Sequence, residues 1–289
     1  MHQILSTIIS GKKYKIDYKA TVDIALKEDA CLQDLTTRLL ISKKIQAQAE
    51  VLSKDNIIVC GLDIFTYCFH RIDRSLRITA LKKDGDRIMS GQPIARIKGK
   101  AASILQGERV ALNFLKRLSG IATTTHKMVS LIERYGVILL DTRKTLPGLR
   151  ALEKYAVFIG GGKNHRFNLK DEILIKENHI FALGGIDKAL EKIKQFKKPF
   201  EVEVKDFKEF QLALENRVPI ILLDNFKIRD IKKAVLLNKG KARLEVSGNV
   251  TLKNIKKMAQ TGVDYISVGA VTHSAPSADF SLLIKGKNG

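Results

Sequence analysis

Between residues 137 and 269 six short apolar runs recur, each ending in a polar residue or a glycine, with helix-like stretches between them. VILLD ends at Asp141, EILIK at Lys176, FEVEV surrounds Glu203, IILLD ends at Asp224, RLEVSG at Gly248 and DYISVG at Gly269. From Glu203 onward the spacing is roughly twenty residues, the length of one strand–helix unit. The pieces between, such as DFKEFQLALEN, DIKKAVLLN and LKNIKKMAQTG, carry apolar residues at helical spacing. Repeated units of this kind build a parallel sheet, here expected to close as an α/β barrel. Asp141, Lys176, Glu203, Asp224, Ser247 and Gly269 then fall at or just past strand ends, the rim on which barrels form active sites.

The preceding residues are mixed. TVDIALKEDA and DIFTYCFHRI read as helices, IQAQAEVLSK as a strand, and LRITALKKDGDRIMSGQPIARIKG as short strands turning at Asp84-Gly85 and Ser90-Gly91. ASILQGERVALNFLKRLSGIATTTHKMVSLIERY keeps a helical repeat throughout, and Gly120 is expected to interrupt it. This segment reads as the joint between an N-terminal α+β domain and the barrel.

The 51 lysines and arginines outnumber 30 acids, a net charge of +21 that raises the question of nucleic acid. The lysines are spread along the chain, aromatics are only 6%, and no RNP-like, zinc-finger or K-homology pattern is present, which argues against nucleic acid as the main partner. No uncharged run approaches the roughly 18 residues needed to span a bilayer. The opening MHQILSTIISGKKYKIDY lacks the basic region and cleavage site of a signal peptide. Cys31, Cys60 and Cys68 form no CxxC pair and read as free thiols in a reducing cytoplasm.

Taken as a set, the rim residues point to anion chemistry. Arg143 and Lys144 follow the strand ending at Asp141; Asn164, His165 and Arg166 follow Gly160-Gly161-Gly162; Lys176 ends a further strand. Guanidinium groups bind carboxylates and phosphates in bidentate fashion, so cations crowded at one mouth imply a polyanionic ligand. Glu203 and Asp224 stand opposite, too few for a closed metal cage but suited to a magnesium ion that keeps its waters or to ribose hydroxyls. There is no HExxH motif or zinc-like spacing. Ser247-Gly248-Asn249 and Gly269-Ala270 close two late strands, where a barrel holds phosphate. GGGK at 160–163 is not a P-loop, because the first glycine of GxxxxGK would fall at Val157. These residues imply a phosphate-bearing sugar and a second anion, without naming a reaction.

The motif LLDTRKTLPGLRALEKYAVFIGGGKNHRFNLKDEILIKENHI resembles the quinolinate phosphoribosyltransferase family. LKEDACLQDLTT, GERVALNFLKRLSGIAT, VEVEVK, ILLDNF, LEVSGNV and GVDYISVGAVTHSAP extend the resemblance over nearly the whole chain. It implies an open N-terminal α/β sandwich domain over 1–115, completed by 275–289, and an atypical α/β barrel over 116–274. It further implies quinolinate and phosphoribosyl pyrophosphate as substrates, magnesium as cofactor, and a homodimer. By motif, Arg143, His165, Arg166 and Lys176 would hold quinolinate. Lys144, Glu203 and Asp224 would be catalytic, facing the phosphoribosyl pyrophosphate and its magnesium. Ser247, Gly248, Asn249, Gly269 and Ala270 would hold the 5-phosphate. Arg109, in GER, would reach the partner subunit's site. The chain departs from the family pattern at Gln33, Leu146 and Lys205. NHRFNL and the full arginine set separate it from phosphoribosyltransferase-like relatives associated with molybdenum transport.

Overall fold

The structure, a computed structural model, describes residues 6–9, 12–196 and 198–285. Residues 1–5, part of the opening apolar stretch, and 286–289 lie outside it.

Six parallel strands, Ile138–Leu140, Ile173–Ile175, Phe200–Val204, Ile220–Asp224, Arg243–Ser247 and Tyr265–Ser267, form the sheet that carries the rim. The first pairs with the last, and from the last each pairs with its predecessor back to Ile173–Ile175. That circular order is a barrel with one seam, between the first strand and the second. On the seam side, the backbone at Lys163 pairs with the first strand. Its N–H donates to Leu139 O (2.8 Å) and its carbonyl accepts from Asp141 N (3.1 Å). Apolar runs buried on both faces, such as IILL in Ile220–Asp224, suit a parallel sheet covered by helices. Helices including Arg150–Ile159, Phe207–Glu215 and Ile228–Asn238 provide that cover.

Side chains two apart on a strand share a face. Glu201 and Glu203, Leu222 and Asp224, and Glu245 and Ser247 are such pairs. Register places Glu203 and Glu245 each opposite Leu222, and Asp224 opposite Ser247, so the acids sit in adjoining layers.

An antiparallel sheet packs on the other side of the long helix Ala101–Ile132. Its order is Phe280–Lys285, Gln46–Ser53, Pro93–Lys100, Arg77–Ala80. The chain therefore returns from the barrel to finish a sheet begun more than two hundred residues earlier. Phe65 and Phe69 of helix Leu62–Ile72 are fully buried against the long helix, where Gly107 leaves room for the Phe69 ring.

The expected break at Gly120 does not occur: Ala101–Ile132 is continuous over 32 residues. A glycine costs a helix only about 1 kcal/mol, and packing supplies the reason for this one. A Cβ at Gly120 would collide with the backbone carbonyl of Pro276. The glycine serves close approach of the returning chain. No helix of the described residues is long and apolar enough to cross a membrane.

Candidate active site

A cavity of about 750 Å³ opens at the carboxyl ends of the six strands. Arg143, Lys144, His165, Arg166, Lys176, Glu203, Asp224, Ser247, Gly248, Asn249, Gly269 and Ala270 all line it. Arg109 does not; it is exposed on the long helix.

One wall is cationic. Burial, and then the neighbouring guanidinium of Arg143, hold the pKa of Arg166 below its ordinary value. Arg143 Nε is buried with no hydrogen-bond partner among the described residues. Two guanidiniums side by side, one with an unmet donor, form a receptor for a carboxylate.

Buried partners that read as surface charges in the sequence set this wall in place. The Asp141 carboxylate accepts from Lys154 Nζ, from Asn164 Nδ2 (2.6 Å) and from the His165 backbone N–H (2.9 Å). Lys154 Nζ also donates to the His165 carbonyl (2.8 Å). Both members of this ion pair are wholly buried. Burial raises the pKa of Asp141 and lowers that of Lys154, so each charge depends on the other. The pair anchors the seam segment from which His165 and Arg166 project. The loop after Asp141 is tied similarly. Arg117 Nη2 donates to Glu153 Oε1 (2.7 Å), Glu153 Oε2 accepts from Leu146 N (3.2 Å), and Thr272 Oγ1 donates to the Lys144 carbonyl (2.7 Å).

A second group lining the cavity is acidic. Burial and then the charge of Glu203 raise the pKa of Asp224, while Lys144 and Lys176 pull it down. Lys176 Nζ stands 3.3 Å from Glu203 Oε2. Two half-buried carboxylates that repel each other at the cavity edge fit a divalent cation shared with substrate oxygens. Beside them the backbone turns sharply. Gly248 has φ +98°, and a Cβ there would strike the Asn225 side chain. Asn249 Nδ2 donates to Asn225 Oδ1 (3.2 Å), and Asn254 Nδ2 to the Asn249 carbonyl (2.9 Å).

The floor holds groups absent from the sequence reading. Glu245 lines the cavity and is nearly inaccessible; Glu201 lies beside it. His165 Nε2 is 3.1 Å from Glu201 Oε2 and 3.9 Å from Glu245 Oε1. Burial works to lower the pKa of His165, but the hydrogen bond to Glu201 holds it above ordinary. Ser267 Oγ lies 2.5 Å from Glu245 Oε1. The three ligating groups lie within 4.8 Å of one another, a spacing a metal could bridge. However, the Arg166 backbone N–H points at His165 Nδ1 (2.8 Å). That contact puts the imidazole proton on Nε2, the nitrogen a metal would need. The signal that could have revealed this floor is a charged residue at an inward position of an apolar strand, two before Glu203 and two before Ser247.

Comparison with known proteins settles the family. The profile described as quinolinate phosphoribosyl transferase, C-terminal domain, matches residues 121–283, and its N-terminal counterpart matches 34–119. The chain belongs to the quinolinate phosphoribosyltransferase family. Nicotiana tabacum quinolinate phosphoribosyltransferase [decarboxylating] 1b is 40% identical over 93% of this chain and 82% of its own. The Bacillus subtilis probable nicotinate-nucleotide pyrophosphorylase [carboxylating] is 40% identical over 88% and 89%. The crystal structure of nicotinate-nucleotide pyrophosphorylase from Ehrlichia chaffeensis superposes with TM-score 0.91, at 37% identity, over 94% of this chain and all of the other. Of the departures from the quinolinate phosphoribosyltransferase pattern, neither Leu146 nor Lys205 lines the cavity. Leu146 is partly exposed, and Lys205 lies near Glu177 and Glu209 at 3.8 Å each.

Proposed function

We propose that this chain is a quinolinate phosphoribosyltransferase (decarboxylating), a pentosyltransferase of NAD biosynthesis. It joins quinolinate to phosphoribosyl pyrophosphate, giving nicotinate mononucleotide, pyrophosphate and carbon dioxide. The observation that carries this reading is that the paired guanidiniums of Arg143 and Arg166 and the carboxylates of Glu203 and Asp224 line one cavity. A dianionic aromatic acid fits the first wall, and a sugar pyrophosphate fits the second.

Arg143, His165, Arg166 and Lys176 orient the diacid so that its ring nitrogen faces the sugar's anomeric carbon, a proximity effect. Lys144 stabilises charge on the departing pyrophosphate. Glu203 and Asp224 would hold magnesium and the ribose hydroxyls, and the metal would supply charge neutralisation for the departing pyrophosphate. Ser247, Gly248, Asn249, Gly269 and Ala270 cradle the 5-phosphate. Once the ring nitrogen is glycosylated it is positive, and the carboxylate at C2 departs because the electron pair left behind sits beside a cation.

The functional unit is a homodimer with Arg109 reaching the partner's cavity; its exposure away from this chain's own site supports that arrangement. The division into 1–115 with 275–289 and 116–274 is supported by the return of Phe280–Lys285 to the antiparallel sheet. Three buried, unpaired cysteines favour the cytoplasm. The deciding assay mixes purified protein, phosphoribosyl pyrophosphate and magnesium with quinolinate or with nicotinate. Carbon dioxide and mononucleotide from quinolinate alone are expected. Turnover of nicotinate only, or of neither, would overturn the assignment.

A further inference from the structure

The decarboxylation leaves a chemical question that the cationic wall does not answer. When carbon dioxide departs, an electron pair remains on C2 of the ring, and that carbon must receive a proton. Guanidinium groups hold their protons too tightly to serve, and Lys176 is occupied beside Glu203. The donor should be a neutral acid, because an ionised carboxylate near the diacid would repel it.

We propose that Glu245, on the cavity floor, is the catalytic acid that protonates C2 after carbon dioxide leaves. Its side chain lines the cavity, opposite Leu222 and Tyr265 in the strand register and two residues before Ser247. The groups facing it are Glu201 from Phe200–Val204, His165 from the seam and Glu172 from the segment before Ile173–Ile175, with the Ser267 hydroxyl as hydrogen-bond partner. Three of these four side chains are acidic or neutral, and two carboxylates packed around one imidazole cannot readily both be ionised. Burial first, then the charge of Glu201, pushes the Glu245 carboxyl up to about 8. Glu245 therefore carries its proton at neutral pH while the guanidiniums above it remain charged.

The step balances. The bond from C2 to its carboxylate breaks, carbon dioxide leaves without the electron pair, and the pair stays on C2. The Glu245 O–H bond breaks, its proton joins C2, and Glu245 is left as a carboxylate. A proton from solvent restores it, so the exchange at C2 consumes one proton per turnover. Repulsion from Glu201 keeps the proton on Glu245 until it is needed, and the much greater basicity of the C2 electron pair drives the transfer.

This inference rests on the proposed reaction, and the experiment separates the two. Wild-type protein is assayed first with quinolinate; no turnover would overturn both readings. If wild type is active, Glu245→Gln is measured beside it. Glutamine keeps the shape and hydrogen-bonding capacity of a protonated glutamate, so a merely structural role would be rescued. Expected are an unchanged quinolinate dissociation constant and a kcat at least about a hundredfold lower, the usual range for a lost general acid. In wild type kcat should fall as pH rises through about 8, where Glu245 loses its proton. That limb should be absent from the residual activity of Glu245→Gln. Glu245→Asp, which keeps the acid on a shorter arm, should recover part of kcat. Near-normal kcat in Glu245→Gln, or a high-pH limb unchanged by the substitution, would overturn the proposal while leaving the reaction standing. Loss of quinolinate binding in both variants would also overturn it, by making Glu245 a support of the wall.

Discussion

Single side chains carry the discrimination. Arg143 and Arg166 meet at one wall, and the buried Nε of Arg143 has no hydrogen-bond partner among the described residues, so an anion completes it. A charge-assisted hydrogen bond contributes about 1.5–3 kcal/mol, and a bidentate contact has two. Arg143→Ala and Arg166→Ala should each lower kcat/KM for quinolinate by at least about a hundredfold, with an unchanged circular dichroism spectrum; steady-state kinetics checks this. These arginines were legible because each follows a strand end or a glycine run. Glu245, Lys154 and Arg117 were not. One charged residue within an apolar strand or an amphipathic helix reads as solvent-facing, because the sequence does not state which layer buries it. Lys154 lies in the helical stretch RALEKYAVFI, where a lysine is ordinary, yet no part of it reaches solvent.

Among elements, the strand ends were readable and the seam was not. Apolar runs with polar terminators locate all six strands of the barrel. The segment at the seam is tied to the first strand by backbone at Lys163 and by the Asp141–Lys154 pair, and no periodicity encodes that. Gly120 shows the converse error. A glycine inside a helical repeat has a local meaning, a weak point, and a tertiary one, close approach; contact with Pro276 decides for the second. Lys154→Met should leave Asp141 buried without its counter-charge and cost about 3–5 kcal/mol in denaturant unfolding. Asp141→Leu combined with Lys154→Met should regain much of that stability but not quinolinate affinity, since the hydrogen bonds to Asn164 and to the backbone N–H of His165 would be gone.

For the whole molecule, two consequences are measurable. If Arg109 acts in the partner's cavity, Arg109→Ala and Arg143→Ala proteins should each be inactive alone and recover activity when unfolded together and refolded. Such mixing pairs an intact cavity with an intact Arg109. Activity that stays absent in the mixture would place Arg109 elsewhere. The second concerns acid stability of the antiparallel sheet. Glu50 accepts from Arg96 Nε (2.9 Å) and lies 2.7 Å from Lys285 Nζ, joining three strands. The hydrogen bonds from Lys285 and Arg96 lower its pKa. A carboxylate with a depressed folded-state pKa stabilises the fold above its unfolded value, about 4.3, and loses that contribution as pH falls through the folded one. Glu50→Gln should lower the melting temperature at neutral pH, flatten the acid limb between those values, and converge with wild type below the folded pKa.

The strand Phe280–Lys285, seated beside Gln46–Ser53, has a consequence for how the protein is made. A ribosome exposes Gln46–Ser53 early, and its outer edge stays open until Phe280–Lys285 has been made. Closing so long a loop is slow, although its entropy grows only gently with length. In that interval the nascent chain presents unpaired backbone to any extended peptide nearby, a hazard for aggregation. Stopping synthesis before Phe280 should therefore yield a product that chaperones hold and proteases clear, even though every strand of the barrel has been made.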